Sequence, residues 1–291
     1  MIDDPRSGVM RALTSSACFV VMAVLVGVAH RLDPHLSTFV SSGVRGLVGF
    51  VLVVVFARGS LARVWGDGRW ELWMRGVLGS IALITYFAAL QRVGVGAAAF
   101  LNQTSAIWVG VLAPFLLGEP TGVATAVAIA LSTVGVAALA HPSVVATDVF
   151  GWGIGLLSGL AAAGAYLAVR RASATNTPVT VVFYFSLVTM VFSLVGWLVS
   201  GAALPSDPKV IVSLVGAGVA AALGQYQLTT AHQRAPAALV SAASAATPLL
   251  NAVAGWLLFT QIPDALGVLG MAILLATSVA LPFITPKSDE T

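Results

Sequence analysis

Apolar residues along this chain neither alternate nor recur at one helical face; they run in unbroken blocks separated by short polar junctions. Ten such blocks lie near 12–30, 36–57, 73–90, 96–117, 121–140, 150–169, 179–200, 209–230, 236–259 and 264–283. Most are close to the ~20 residues that cross a hydrocarbon core of about 30 Å as a helix. Helix is the expected form, because in lipid each backbone N–H and C=O must be satisfied within its own segment. Breakers mark the junctions: Asp33-Pro34, Gly118-Glu119-Pro120, His141-Pro142, Thr177-Pro178, Asp207-Pro208, Ala235-Pro236 and Ile262-Pro263. The first block lacks a convincing cleavage site and reads as a retained span.

The blocks also repeat. Gln91-Arg92 and Gln233-Arg234 each end one block and open another, 142 residues apart. At that offset Glu119 falls on Gln261, Asn102 on Ser244 and Gly135 on Thr277. The pattern predicts an all-α membrane protein of ten transmembrane helices, built as two five-helix repeats over 1–148 and 149–291. Because five is odd, the second copy must enter the membrane from the opposite side, which is the inverted-repeat pattern of transporters.

Composition agrees: 58% of residues are hydrophobic, 9% are charged, and mean hydropathy is +0.98. Soluble domains carry about 25% charged residues. The net charge of +3 is no nucleic-acid footprint, since the basic residues sit in short junctions between apolar runs. Cys18 is the only cysteine, so no intrachain disulfide or thiolate metal cage can form. With the N-terminus inside, ten Lys and Arg, Arg75 among them, fall on the cytoplasmic side, against Arg31, Arg92 and Lys209 outside. That bias predicts a multi-pass protein of the bacterial inner membrane with both termini cytoplasmic.

The remaining charge, Arg45, lies inside the second block and must face protein or water. Two readings stand: it meets an anionic group on a substrate or controls a gate, or it donates to carbonyls where helices pack. No Asp or Glu lies well inside any block, so a carboxylate relay for protons or sodium is not expected. His30 and His232 sit at block ends.

Uncharged polar residues mark the candidate site. Ser241, Ser244, Pro248 and Asn251 share one face of the ninth block, and Pro248 removes the donor to the Ser244 carbonyl. Asn102 and Ser105 share a face in the fourth block, beside Gln103. Asparagine offers two donors and an acceptor, suited to an amino acid or similar metabolite, although interhelical hydrogen bonding explains the same residues. Trp108 is the one tryptophan near a block centre, where it either stacks on a flat substrate or packs outward. Tyr86 and Tyr226 lie just inside opposite block ends, as belt anchors or as gates; Gln225 and Gln227 beside Tyr226 favour a wet face. Small-residue ladders at Gly151/Gly155/Gly159 and Gly216/Ala220/Gly224 predict close helix packing. There is no HExxH or Gly-x-Ser-x-Gly motif, so no catalytic residue, metal or cofactor is expected.

The run Tyr86-Phe87-Ala88-Ala89-Leu90-Gln91-Arg92-Val93-Gly94, the end Leu116-Leu117-Gly118-Glu119-Pro120, and Arg45 within Val44-Arg45-Gly46-Leu47-Val48 together resemble the EamA repeat of the drug/metabolite transporter superfamily. The resemblance spans about 10–283. It implies a ten-helix inverted-repeat transporter with a cavity lined by spans 1, 3, 4, 6, 8 and 9, spans 5 and 10 being peripheral. Gln261 departs from the Glu often found in the second repeat, and Cys18-Phe19 stand near a common first-span Trp. Glu119 is then expected to cap a helix at a cytoplasmic turn. The implied function is secondary transport of small organic metabolites by alternating access. Amino-acid export is favoured, and the chain also resembles the YddG-type aromatic amino acid exporters. Alternatives are a nucleotide-like or vitamin-like substrate, or a receptor or scaffold that does not transport. The expected partners are a small-molecule substrate and membrane lipid, not nucleic acid, in a monomer or weak homodimer.

Overall fold

The computed structural model describes residues 4–57, 64–140, 148–260 and 262–284. Arg58, Arg63, Gln261 and Lys287 lie outside the described residues. Those described form eleven α-helices of eight residues or more and no strand. They are α1 (Pro5–Leu32), α2 (Thr38–Phe56), α3 (Trp70–Gln103), α4 (Ser105–Leu117), α5 (Val123–Ala140), α6 (Val149–Ala172), α7 (Pro178–Ser200), α8 (Pro208–Arg234), α9 (Ala237–Ser244), α10 (Ala246–Phe259) and α11 (Ala265–Ile284). Eight segments are long and apolar enough to cross a membrane, and α11 contributes a shorter apolar window, Ala265–Leu281.

Short polar residues start these helices. Asp4, Ser37, Asp148, Thr177 and Asp207 each accept a hydrogen bond from a backbone N–H in the first turn. This satisfies donors that the helix itself cannot pair. Proline opens α1, α7 and α8, where its missing N–H is not needed.

The closest neighbours are α3 with α6, α1 with α8, α2 with α7, and α5 with α11. Small residues form the seams. A Cβ on Gly159 would sit 2.6 Å from the Leu101 carbonyl oxygen, and one on Gly270 would sit 2.6 Å from that of Gly135. The Gly151/Gly155/Gly159 ladder therefore carries α3 and the Thr104 that follows it, while Gly216 and Gly224 meet α1 at Leu25 and Phe19. Large apolar side chains turn outward instead: Val55, Phe56, Phe115, Val123, Leu198 and Val199 are all exposed. An interior of small residues under an outer coat of branched ones suits helices whose outer solvent is lipid.

Two features depart from the sequence reading. The join at 91–95 is helical, and α3 instead runs on to Gln103. Its contacts nevertheless reverse along α6: Leu78 lies at Gly164, Arg92 and Val93 at Gly151, Leu101 at Gly155, and Thr104 at Gly159. The path therefore turns back between Val93 and Leu101. Interruptions come later, at Thr104 between α3 and α4, and at Ala245 between α9 and α10. The other departure is Arg75, counted above with the cytoplasmic basic residues. It is 3% exposed, because the helix that holds it begins at Trp70 and turns it into the bundle.

Candidate functional site

A cavity of about 320 Å³ lies among α1, α2, α3, α6, α7, α8 and the α9–α10 interruption. A groove of about 380 Å³ flanks it between α2, α3 and α7, lined by hydroxyls such as Ser42, Ser80 and Thr189 without a charged group. The smaller cavity is the better candidate, because it gathers polar and charged side chains from both halves of the chain.

Its walls follow helical spacing. On α3, Arg75, Gly79, Ala82 and Tyr86 stack along one face, and Asn102 and Gln103 enter near the interruption. On α1, Ser15, Ser16, Phe19 and Met22 face inward. The second half contributes Tyr166 from α6, Phe185 from α7, Gln225 from α8, and Ser241, Ser244, Thr247, Pro248 and Asn251 from the broken span.

Several wall groups are fixed by partners. Arg75 Nη2 donates to Gln225 Oε1 at 2.7 Å, and its guanidinium lies 4.1 Å from the Phe185 ring centroid. The Arg45 guanidinium lies 5.6 Å from the same ring. Asn102 Nδ2 donates to Ser158 Oγ at 3.2 Å, and Thr247 Oγ1 to Ser16 Oγ at 2.9 Å, both joining the two halves. Ser15 Oγ donates to the Gly224 carbonyl at 2.8 Å, and Ser244 Oγ to that of Val240 at 2.9 Å. Tyr166 stacks on His232, whose two ring nitrogens are buried without a hydrogen-bond partner, as is the Ser241 hydroxyl.

Of the sequence candidates, Arg45, Tyr86, Asn102, Gln225, Ser244 and Asn251 line this cavity. Trp108, Tyr226 and Gln227 do not. Trp108 is 36% exposed on α4 and Tyr226 is 41% exposed on α8. Gln227 Oε1 instead accepts from Arg11 Nη1 at 2.7 Å. On a helix, neighbours in sequence point about 100° apart, so Gln225 inward places Tyr226 elsewhere. Sequence reasoning missed Arg75 and Tyr166. The i, i+4 and i+7 spacing of Arg75, Gly79 and Ala82, continued to Tyr86, was the available signal.

One end of the bundle is tied by a polar network. Arg170 pairs with Glu119 and donates to the His232 carbonyl at 2.6 Å, while Glu119 Oε2 accepts the Ala237 N–H at 2.9 Å. Glu119 thereby joins the ends of α4, α6, α8 and α9, so it caps α9 and not its own helix. Arg234 Nη1 donates to Ser7 Oγ at 2.6 Å nearby. In the adjoining loop the Thr175 hydroxyl, then Asn176 and Arg69, hold the Asp67 carboxyl below the usual carboxylate range. Around α6's opposite end, the Gly151 N–H, then Arg92, do the same for Asp148. Among the described residues no group of three or more His, Cys, Asp or Glu could hold a metal ion.

Residues 6–140 and 149–281 each match the model of the EamA-like transporter family. The chain is 29% identical to the pseudopaline exporter of Pseudomonas aeruginosa over 97% of its own length and 98% of that protein's. It is 28% identical to a riboflavin transporter of Rhizobium johnstonii over 72% of this chain and 69% of the other. A solved crystal structure, 17% identical, superposes with a TM-score of 0.81 over 95% of this chain and 96% of that one, a likeness of fold.

Proposed function

We propose, from the premise that this chain belongs to the EamA-like transporter family, that it is a secondary transporter of a small organic metabolite. Substrate binds in the central cavity, and the two repeats rock about it by alternating access. The observation that carries this reading is the cavity itself: both halves wall it, and the Thr247–Ser16 bond joins them across it. The Glu119–Arg170–Ala237 network closes one end and is the natural gate, which opens when the α4 and α6 ends separate from α9.

Ten spans in two inverted repeats fit this proposal. The eight long apolar segments become ten with the first arm of α3 and with α11. Contacting pairs also exchange consistently between repeats: span 1 with 8 answers span 3 with 6, while 2 with 7 and 5 with 10 each map onto themselves. Such pairing is what a pseudo-twofold relation between the halves requires. The positive-inside bias then sets the Glu119 end, and both termini, in the cytoplasm.

Export is the favoured direction, supported by the full-length similarity to an exporter. Asn102 and Asn251 suit a polar metabolite such as an amino acid. The aromatic preference loses its main support, since Trp108 lies off the cavity, although Phe19, Tyr86, Tyr166 and Phe185 line it. Counterflow of radiolabelled metabolites in proteoliposomes tests the proposal. Saturable exchange that Asn102→Ala reduces, with melting temperature unchanged, supports it. Absence of exchange for amino acids, carboxylates and vitamins alike overturns it.

A further inference from the structure

We infer that the cavity is built for an organic anion, and that Arg45 and Arg75 together are its counter-charge. The inference rests on the transporter reading above and names the substrate class of that site. Both guanidinium groups reach the cavity wall, from α2 and α3, and both lie against the Phe185 ring. None of the described residues lining the cavity is an Asp or Glu, and neither arginine has an ion-pair partner among the described residues.

That combination is unusual for two cations in a span. An arginine at the centre of a span costs about 2.5–3.5 kcal/mol on insertion scales, which is why arginines within spans normally pair or snorkel. Arg75 does neither: it is 3% exposed, and the acceptor of its hydrogen bond, Gln225 Oε1, is a neutral amide oxygen. Each guanidinium carries five N–H donors, so most of the donors remain for something else. Their planar forks match the paired oxygens of a carboxylate. Two such forks lying against one ring fit a substrate with two carboxylates, or one carboxylate and a second oxyanion. Asn102, Asn251 and the Ser241 hydroxyl, which is buried without a partner, are left to read its polar body.

Purified full-length protein in lipid nanodiscs provides the test. Its thermal stability is measured against succinate and citrate, against uncharged succinamide, and against putrescine. Succinate or citrate should raise the melting temperature saturably, while succinamide and putrescine do not. Arg75→Gln and Arg45→Gln should each weaken carboxylate binding by roughly tenfold to a hundredfold. Because those variants can fail to fold, Gln225→Glu is measured alongside. It sets a carboxylate against Arg75, and should raise the melting temperature of the empty protein while abolishing the response to citrate. Equal responses to succinate and succinamide, no response to either carboxylate, or an unchanged citrate response in Gln225→Glu would each overturn the inference. Flux separates the two levels. Movement of an uncharged metabolite without carboxylate binding leaves a transporter with another substrate, whereas carboxylate binding without flux leaves an anion site that does not transport.

Discussion

The fourth and ninth spans break within one residue of the same place by different chemistry. One is interrupted at Thr104, the other at Ala245, and they end in left-handed caps at Gly118 (φ 68°) and Thr260 (φ 55°), 142 residues apart. The cap N–H groups bond the carbonyls of Ala113 and Gly255, again 142 residues apart. The local means differ. In the fourth span the Thr104 hydroxyl donates to the Leu101 carbonyl at 2.6 Å. In the ninth, alanine holds the interruption, and Pro248 three residues on denies the Ser244 carbonyl its helical donor. The fourth span has a proline too, Pro114, but the carbonyl it frees, Gly110, accepts from Thr121 Oγ1 at 2.7 Å. Ser244 instead lines the cavity, where water or substrate can serve it. A freed carbonyl is tolerated in a membrane where protein covers it or where it faces a wet cavity; the fourth span uses the first option, and the place of Ser244 in the cavity wall fits the second.

The largest expected effect concerns the end of the fourth span. Glu119→Ala should destabilise by about 3 kcal/mol, because it leaves Arg170 charged and largely enclosed. Equilibrium unfolding in detergent checks this. Glu119→Ala combined with Arg170→Gln should lose clearly less than the two single losses summed; strict additivity would show that the fourth span is no more latched than the ninth.

Next comes the pair of freed carbonyls. Thr121→Val should cost about 1–2 kcal/mol, since the Gly110 carbonyl loses its donor away from the cavity. Pro248→Ala should leave stability near wild type or above it while slowing exchange, because it mends the helix beside the site. If both substitutions shift melting alike and leave flux alone, the distinction between covered and cavity-facing carbonyls fails.

The caps predict a smaller, opposite pair of shifts. Thr260→Gly should gain about 1 kcal/mol by relieving a left-handed conformation on a β-branched residue. Gly118→Thr should lose a similar amount. Melting curves of both variants decide whether the two ends are conformationally equivalent.

The smallest effect is one of pH. Asp148 caps α6, the first helix of the second matched segment, and its carboxyl is held below the usual range by the Gly151 N–H and then Arg92. A depressed folded pKa stabilises above the unfolded value, and the gain fades as pH falls below about 4. Asp148→Asn should therefore lower stability slightly at neutral pH and flatten its decline in acid. Melting from pH 3 to 7 would show it, and an unchanged acid limb would remove Asp148 from the account.

Sequence alone determined the membrane class, the all-helical form and the doubling of the chain, because lipid leaves a twenty-residue apolar block little alternative to helix. It also pointed to six residues that line the cavity, since polar groups inside such blocks are scarce enough to stand out. The interruption near Pro248 was legible for a similar reason: proline acts within its own turn. Tertiary structure decided the rest. Arg75 sits only five residues into α3, where composition cannot tell a solvated turn from a buried one. Trp108 and Tyr226 have the right depth but the wrong azimuth, and rotation about a helix axis is set by neighbouring helices, not by hydropathy. The Thr104 interruption carries no breaker, and the roles of Glu119 and Gln225 depend on Arg170, Ala237 and Arg75, residues 51, 118 and 150 positions away. Position within an apolar block reports how deep a residue lies; only the packed bundle fixes what it faces.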